Sequence, residues 1–236
     1  MFDETDISQE KSWLYEERAK VAVANLQKKN INAVYVPSQK EALAAILGMI
    51  PPGAVVYRGD SVTLDQIGIE PELVKRGQNK VVDPKERDEQ GLYRRRRRDR
   101  LAAQREAFSA DIYLSGTNAV TLDGKLVSTD GIGDRVAPLI FGPSKVILVA
   151  GANKLVKNVD EALERIHRIA APLNAKRHFI KHHAEELADL PCVRTGQCVD
   201  CSSDNRICRY TTIIEGTMAR DKGRINVVLV GEDLGL

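Results

Sequence analysis

All four cysteines of this 236-residue chain fall in one short stretch, as Cys192, Cys198, Cys201 and Cys208. Thiolates this close in sequence can surround one metal centre. The central C-x2-C pair supplies two adjacent ligands and the flanking loops supply the others. Four sulfur donors suit tetrahedral zinc or an iron–sulfur cluster. Pro191 and Gly196 permit the turns such a knuckle needs. The spacing is that of neither a standard ferredoxin nor a zinc ribbon. The plain alternatives are reduced structural cysteines or a redox pair, but clustering of all four makes a metal the first reading.

A second set of residues combines glycines, hydroxyls and charges at the expected ends of strands. In Gly59-Asp60-Ser61-x-Thr63, Gly59 lets a ligand approach the backbone, and Ser61 and Thr63 offer hydroxyls where a helix begins. Thr117-Asn118 follows another strand. In Asp130-Gly131-Ile132-Gly133-Asp134-Arg135, two glycines permit unusual backbone angles, and Arg135 can hold a carboxylate or phosphate in a fork. Asn153-Lys154 follows the most apolar strand and offers an anion-binding or reactive amine. Each has a plainer reading: a capped turn, an Asp–Arg brace, a solvated lysine. Their shared position, where open α/β sheets bind ligands, favours a site for a small carboxylate or phosphate-bearing molecule. No residue pair is a clear acid–base couple, so catalytic residues stay unassigned. His167, His178, His182 and His183 lack metal-binding spacing and read as surface residues.

The elements that must position these groups alternate between short apolar strands and helices, which implies an α/β sheet. A helix over Ser12–Asn30 is expected to bury Trp13, Leu14, Ala19, Val21, Ala22 and Leu26. Strands are expected at Asn32–Val36, Ala54–Tyr57, Asp111–Leu114, Lys145–Gly151 and Arg224–Gly231. Ser38 with Glu41 marks a capping box for a helix over Lys40–Ile50. A further helix starts near Thr63, a hairpin turns at Asp123-Gly124, and a helix over Val159–Ala171 is expected to stop at Pro172. The run Arg94–Arg98 reads as a solvated basic helix face with Glu86, Asp88, Glu89 and Glu106 as partners. The chain reads as a single domain over residues 1–236, with 190–209 as its metal-binding segment.

A composition 43% hydrophobic and 29% charged, with net charge +2, is ordinarily globular and argues against a nucleic-acid binder. No apolar stretch approaches the ~18 residues that span a membrane. The acidic opening Met1–Asp6 is unlike a secretory signal. A cytoplasmic location follows, where clustered cysteines serve metals rather than disulfides.

Several of these segments together resemble the lactate-utilisation (LUD) domain family. They are Gly116–Val127, Asp130-Gly131-x-Gly133-Asp134-Arg135-Val136, Phe141-Gly142-Pro143-x-Lys145-Val146 and Gly151-x-Asn153-Lys154, with Pro191-Cys192, Gly196-x-Cys198-x-Asp200-Cys201 and Arg206-Ile207-Cys208. Its best-known members are lactate utilisation proteins B and C, and the chain is similar to C, since it lacks the two-cluster extension typical of B. The resemblance implies an open, mixed or mostly parallel sheet flanked by helices. It also implies a fold like ribose-5-phosphate isomerase and CoA-transferases, with the cysteine segment as a C-terminal appendage. It further implies a part in L-lactate oxidation with iron–sulfur partner subunits, which favours a [4Fe–4S] cluster over zinc. The alternative is a non-catalytic module that binds or senses a sugar phosphate or carboxylate. At the Gly-Asn-Arg step of the family this chain carries Asp134, and the family's Gly-Ser step reads Gly59-Asp60-Ser61.

Overall fold

The computed structural model describes residues 4–236; Met1, Phe2 and Asp3 of the acidic opening lie outside the described residues. The first half of the chain runs α1 (Ser8–Lys28), β1 (Asn32–Val36), α2 (Gln39–Met49), β2 (Val55–Arg58), α3 (Val62–Ile67), α4 (Ile69–Arg76), β3 (Lys80–Val82) and α5 (Arg97–Arg105). Then come β4 (Ile112–Gly116), β5 (Ala119–Thr121), β6 (Leu126–Asp130), α6 (Ala137–Ile140), β7 (Lys145–Gly151), β8 (Leu155–Val156) and α7 (Val159–Arg165). The chain closes with α8 (Ala171–His182), α9 (Pro191–Thr195), β9 (Tyr210–Ile214) and β10 (Ile225–Val230).

A six-stranded sheet in the order β1-β10-β7-β4-β2-β3 is parallel throughout. A smaller mixed sheet has the order β8-β5-β6-β9. Alternation along the large sheet's strands explains the two cores. Tyr57, Tyr113, Val146, Leu148, Val227 and Leu229 pack on one face with Ala19, Ala22 and Leu26 of α1. Val56, Ile112, Leu114, Ile147, Val149 and Val228 pack on the other with Ile46 of α2, Leu64 of α3 and Leu73 of α4. Strands covered on both faces read as continuous apolar runs, which is why Lys145–Gly151 stands out in the sequence.

The expected stripe on the first helix needs correcting. Trp13, Leu14 and Val21 are exposed, and the buried line is Ala19, Ala22 and Leu26, with Tyr15 packed beside it. The i, i+3, i+7 spacing of the small residues, rather than the bulk of Trp13, selects the face. The capping box of α2 is present: Ser38 Oγ accepts from the Glu41 amide, and Glu41 Oε2 accepts from the Ser38 amide. Ser38→Ala is expected to lower stability by about 1 kcal/mol, read as a shift in the urea midpoint with unchanged slope.

Pro172 does not stop a helix. From α7 the chain passes through a π-helical turn, Ile166–Ala170, into α8, with Pro172 in its first turn. The proline sits at the junction where the ladder changes from π to α, the Ala171 amide donating to Ile166 O, so the missing N–H falls where the ladder is already irregular. Such π-helical turns recur at functional sites. The basic run is exposed as expected, but it is not one helix face, since α5 begins only at Arg97; of the four acids named beside it only Glu86 makes an ion pair with it, to Arg94. Among the described residues no helix is long and apolar enough to cross a membrane.

Candidate functional site

The chain leaves β2, β4 and β7 at the same edge of the parallel sheet, and the loops that follow enclose a cleft of about 200 Å³. Its wall carries Ser61 and Thr63 after β2, Thr117 and Asn118 after β4, and Lys154 after β7. Asp130, Gly131, Asp134 and Arg135 join them from the end of β6. Nine of the twelve residues expected at a ligand site therefore meet around one cavity.

The other three support it from behind. A Cβ at Gly59 would stand 2.6 Å from the Tyr113 hydroxyl, so this glycine admits close packing rather than a ligand. Gly133 takes φ +87°, as the loop turn requires. Asn153 Oδ1 accepts from the Leu234 amide at 3.1 Å and ties down the segment after β10.

The cleft also contains residues that the sequence alone does not assign to it: Asp60, Lys85, Thr129, Asn174, Arg177 and His178. Asn174, Arg177 and His178 lie on α8, which the sequence conceals because Pro172 reads as a stop. Lys85 comes from the loop after β3, where charge density hides it. His178 is a correction: it is mostly buried and faces the cleft, with Nε2 3.9 Å from Asp60 Oδ2.

The carboxylates of the cleft are already engaged. Arg177 Nη2 donates to Asp60 Oδ1 at 3.1 Å. Burial alone would raise the Asp60 carboxyl, yet Arg177, Lys85 and His178 hold it well below the ordinary range. Asp134 Oδ2 pairs with Lys85 Nζ at 2.9 Å and accepts from Gln104 Nε2 at 2.7 Å. Asp130 accepts from the backbone amides of Ile132, Arg135 and Val136. The Asp–Arg brace is thus a carboxylate holding its own loop backbone.

The cations are less completely satisfied. Arg135 donates to Gly116 O, Asn118 Oδ1 and Thr129 O at 3.3, 3.0 and 2.6 Å, none of them charged. Among the described residues Arg165 donates to backbone oxygens of Asn118, Asn153 and Leu236. Lys154 is 4% exposed, and its Nζ donates to Thr63 Oγ1 at 3.0 Å. Burial, with Arg165 and Arg135 nearby, lowers its amine to about 7. This arrangement provides positive charge for an incoming anion.

Burial lowers both His178 and His182 to about 4, and their rings stack edge-on at 5.0 Å. A base with a depressed folded pKa binds fewer protons folded than unfolded. The protein is therefore expected to lose stability as pH falls from about 6.5 toward about 4. His178→Gln should flatten that part of a melting-temperature profile.

The cysteine segment packs against the cleft. Ile207 and Cys208 form part of its wall, and Arg209 N donates to Asp130 O at 2.8 Å. On their other side, Cys192, Cys198, Cys201 and Cys208 line a second, apolar cavity. Among the described residues no three His, Cys, Asp or Glu side chains gather closely enough to hold a metal ion as they stand. As a donor type, sulfur suits a soft metal, and binding would require the four side chains to converge. Four sulfurs share one cavity, Arg206 Nε donates to Cys208 Sγ at 3.2 Å, and the Asp200 amide donates to Cys198 Sγ at 3.5 Å. Burial and then the neighbouring thiols Cys201 and Cys208 push the Cys192 thiol up, a cost that a bound cation would relieve.

Comparison with known proteins adds three findings. The family model described as LUD domain matches residues 19–230. The crystal structure of a DUF162 family protein from Deinococcus radiodurans at 1.70 Å resolution aligns with a TM-score of 0.51 at 15% identity, over 92% of this chain and 98% of that one; the likeness is one of fold. No curated protein matches.

Proposed function

The chain belongs to the LUD domain family, and from that premise we propose that it serves in, or is a relative of, an L-lactate or similar hydroxy-acid oxidation system in the cytoplasm. In this reading the cleft binds a small hydroxy- or keto-acid, and the four cysteines hold a [4Fe–4S] cluster, with zinc as the alternative. The observation that carries it is the shared wall: Cys208 borders both the polar cleft and the thiol cavity.

Arg135 still has N–H groups free to meet the carboxylate, and Lys154 in the wall, with Arg165 nearby, adds positive charge. Thr63 and Asn118 would bond the remaining oxygens, while the Thr117 hydroxyl is already turned to Val127 O and Ala119 O. Cys192, Cys198, Cys201 and Cys208 would hold the cluster, which when bound supplies one-electron redox chemistry; zinc there would be a structural clamp. Iron–sulfur subunits are the partners this reading calls for.

The size of the cleft favours a second reading. About 200 Å³ holds roughly seven waters at ~30 Å³ each, more room than a three-carbon acid fills. With the cleft's carboxylates already engaged, a non-catalytic module for a larger sugar phosphate or carboxylate fits those dimensions. A thermal-shift screen of lactate, pyruvate, CoA thioesters and sugar phosphates separates the two. Stabilisation by lactate or pyruvate is the result expected. Stabilisation by sugar phosphates alone would replace the first reading with the second.

A further inference from the structure

We propose that Lys154 is a covalent nucleophile, whose Nζ condenses with the carbonyl carbon of a 2-keto acid held in the cleft to form an imine. The inference rests on the keto-acid reading above and extends it from binding to chemistry.

Lys154 ends the short turn Ala152–Lys154 that follows β7, so a strand buried from Val146 to Gly151 fixes its stem. Its side chain reaches the cleft, where no carboxylate among the described residues pairs with it, and its one hydrogen bond goes to the Thr63 hydroxyl. The charged groups acting on it are Arg165 and Arg135, both cations. A lysine kept only to complete an ion pair would have an acid beside it. A lysine that is desolvated and set beside other cations is kept substantially neutral near pH 7, the condition for amine nucleophilicity. Arg135 stands where it can orient the keto acid by its carboxylate while the carbonyl turns toward Nζ.

The step balances without an oxidant. The nitrogen lone pair forms the N–C bond as the carbonyl π pair moves to oxygen, and one N–H proton passes to that oxygen to give a carbinolamine. The C–O bond then breaks. The oxygen leaves as water with the second N–H proton, and the C=N bond remains. Thr63 Oγ1, 3.0 Å from Nζ, is placed to relay these protons.

The test uses the full chain, pyruvate as probe and sodium cyanoborohydride to fix any imine, followed by peptide mapping. The expected adduct is one pyruvate less one oxygen per chain, at Lys154. Labelling there should exceed that of any exposed lysine by about tenfold or more at pH 7, because an ordinary lysine is almost wholly protonated. L-lactate, which has no carbonyl, should give no adduct, and Lys154→Arg should abolish it. Mapping the unmutated chain identifies the lysine even if that variant folds poorly. Heat of pyruvate binding with no adduct at Lys154, or labelling spread evenly over surface lysines, would overturn the imine alone. Absence of both heat and adduct would overturn the keto-acid reading with it.

Discussion

Arg135→Ala is expected to weaken binding of L-lactate or pyruvate by about thirtyfold or more. Removing one partner of a buried, hydrogen-bonded charge pair costs about 2–5 kcal/mol. Here the pair would be the ligand carboxylate and the guanidinium whose remaining bonds go to Gly116 O, Asn118 Oδ1 and Thr129 O. Those bonds also brace the loop, so the variant should lose stability as well. Arg135→Lys separates the effects. It keeps the charge and loses the fork, so it should restore folding more fully than affinity. Isothermal titration of both variants, with circular dichroism as the folding control, checks this. Unchanged affinity in folded Arg135→Ala would remove Arg135 from the site.

The second large effect concerns the thiols. Anaerobically purified protein is expected to be brown, with broad absorbance near ~400 nm and roughly four irons per chain. Changing Cys198 or Cys201 to Ser should bleach it and remove most of the iron, since each would be one of only four ligands. Because Ile207 and Cys208 also wall the cleft, Cys208→Ser is expected to lower ligand affinity in addition. Cys198→Ser should do so less, since Cys198 lines only the thiol cavity. One zinc per chain without colour would make the segment a clamp. Four titratable thiols in metal-free anaerobic protein would remove the metal altogether.

Much of this site is legible in the residues themselves. Gly59–Thr63, Thr117-Asn118 and Asn153-Lys154 announce themselves because each follows a short apolar run, and a parallel sheet brings such strand ends to one edge. The hidden part comes from α8. Arg177 and His178 are distant in sequence from Asp60, and α8, which continues the chain past the π-helical turn, carries them onto it. A single proline at a helix start and at a helix end looks the same in one sequence. The small sheet is half visible. The Asp123-Gly124 hairpin is local chemistry, with Gly124 at φ +80°, whereas β9 joins β6 across the whole cysteine segment. Strands β8 and β9 are short or half-exposed, so neither shows the apolar run that betrays a central strand. In α1 the large residues mislead and the alanines are informative, because close helix–sheet packing selects small side chains at the contact.

That an acid-binding cleft and a redox centre share a wall is tested most directly by titrating anaerobic, iron-loaded protein with pyruvate while following the absorbance near ~400 nm. The expected result is a saturable spectral change whose midpoint matches the calorimetric affinity and which disappears in Arg135→Ala. A spectrum that stays fixed while calorimetry reports the cleft filled would contradict it.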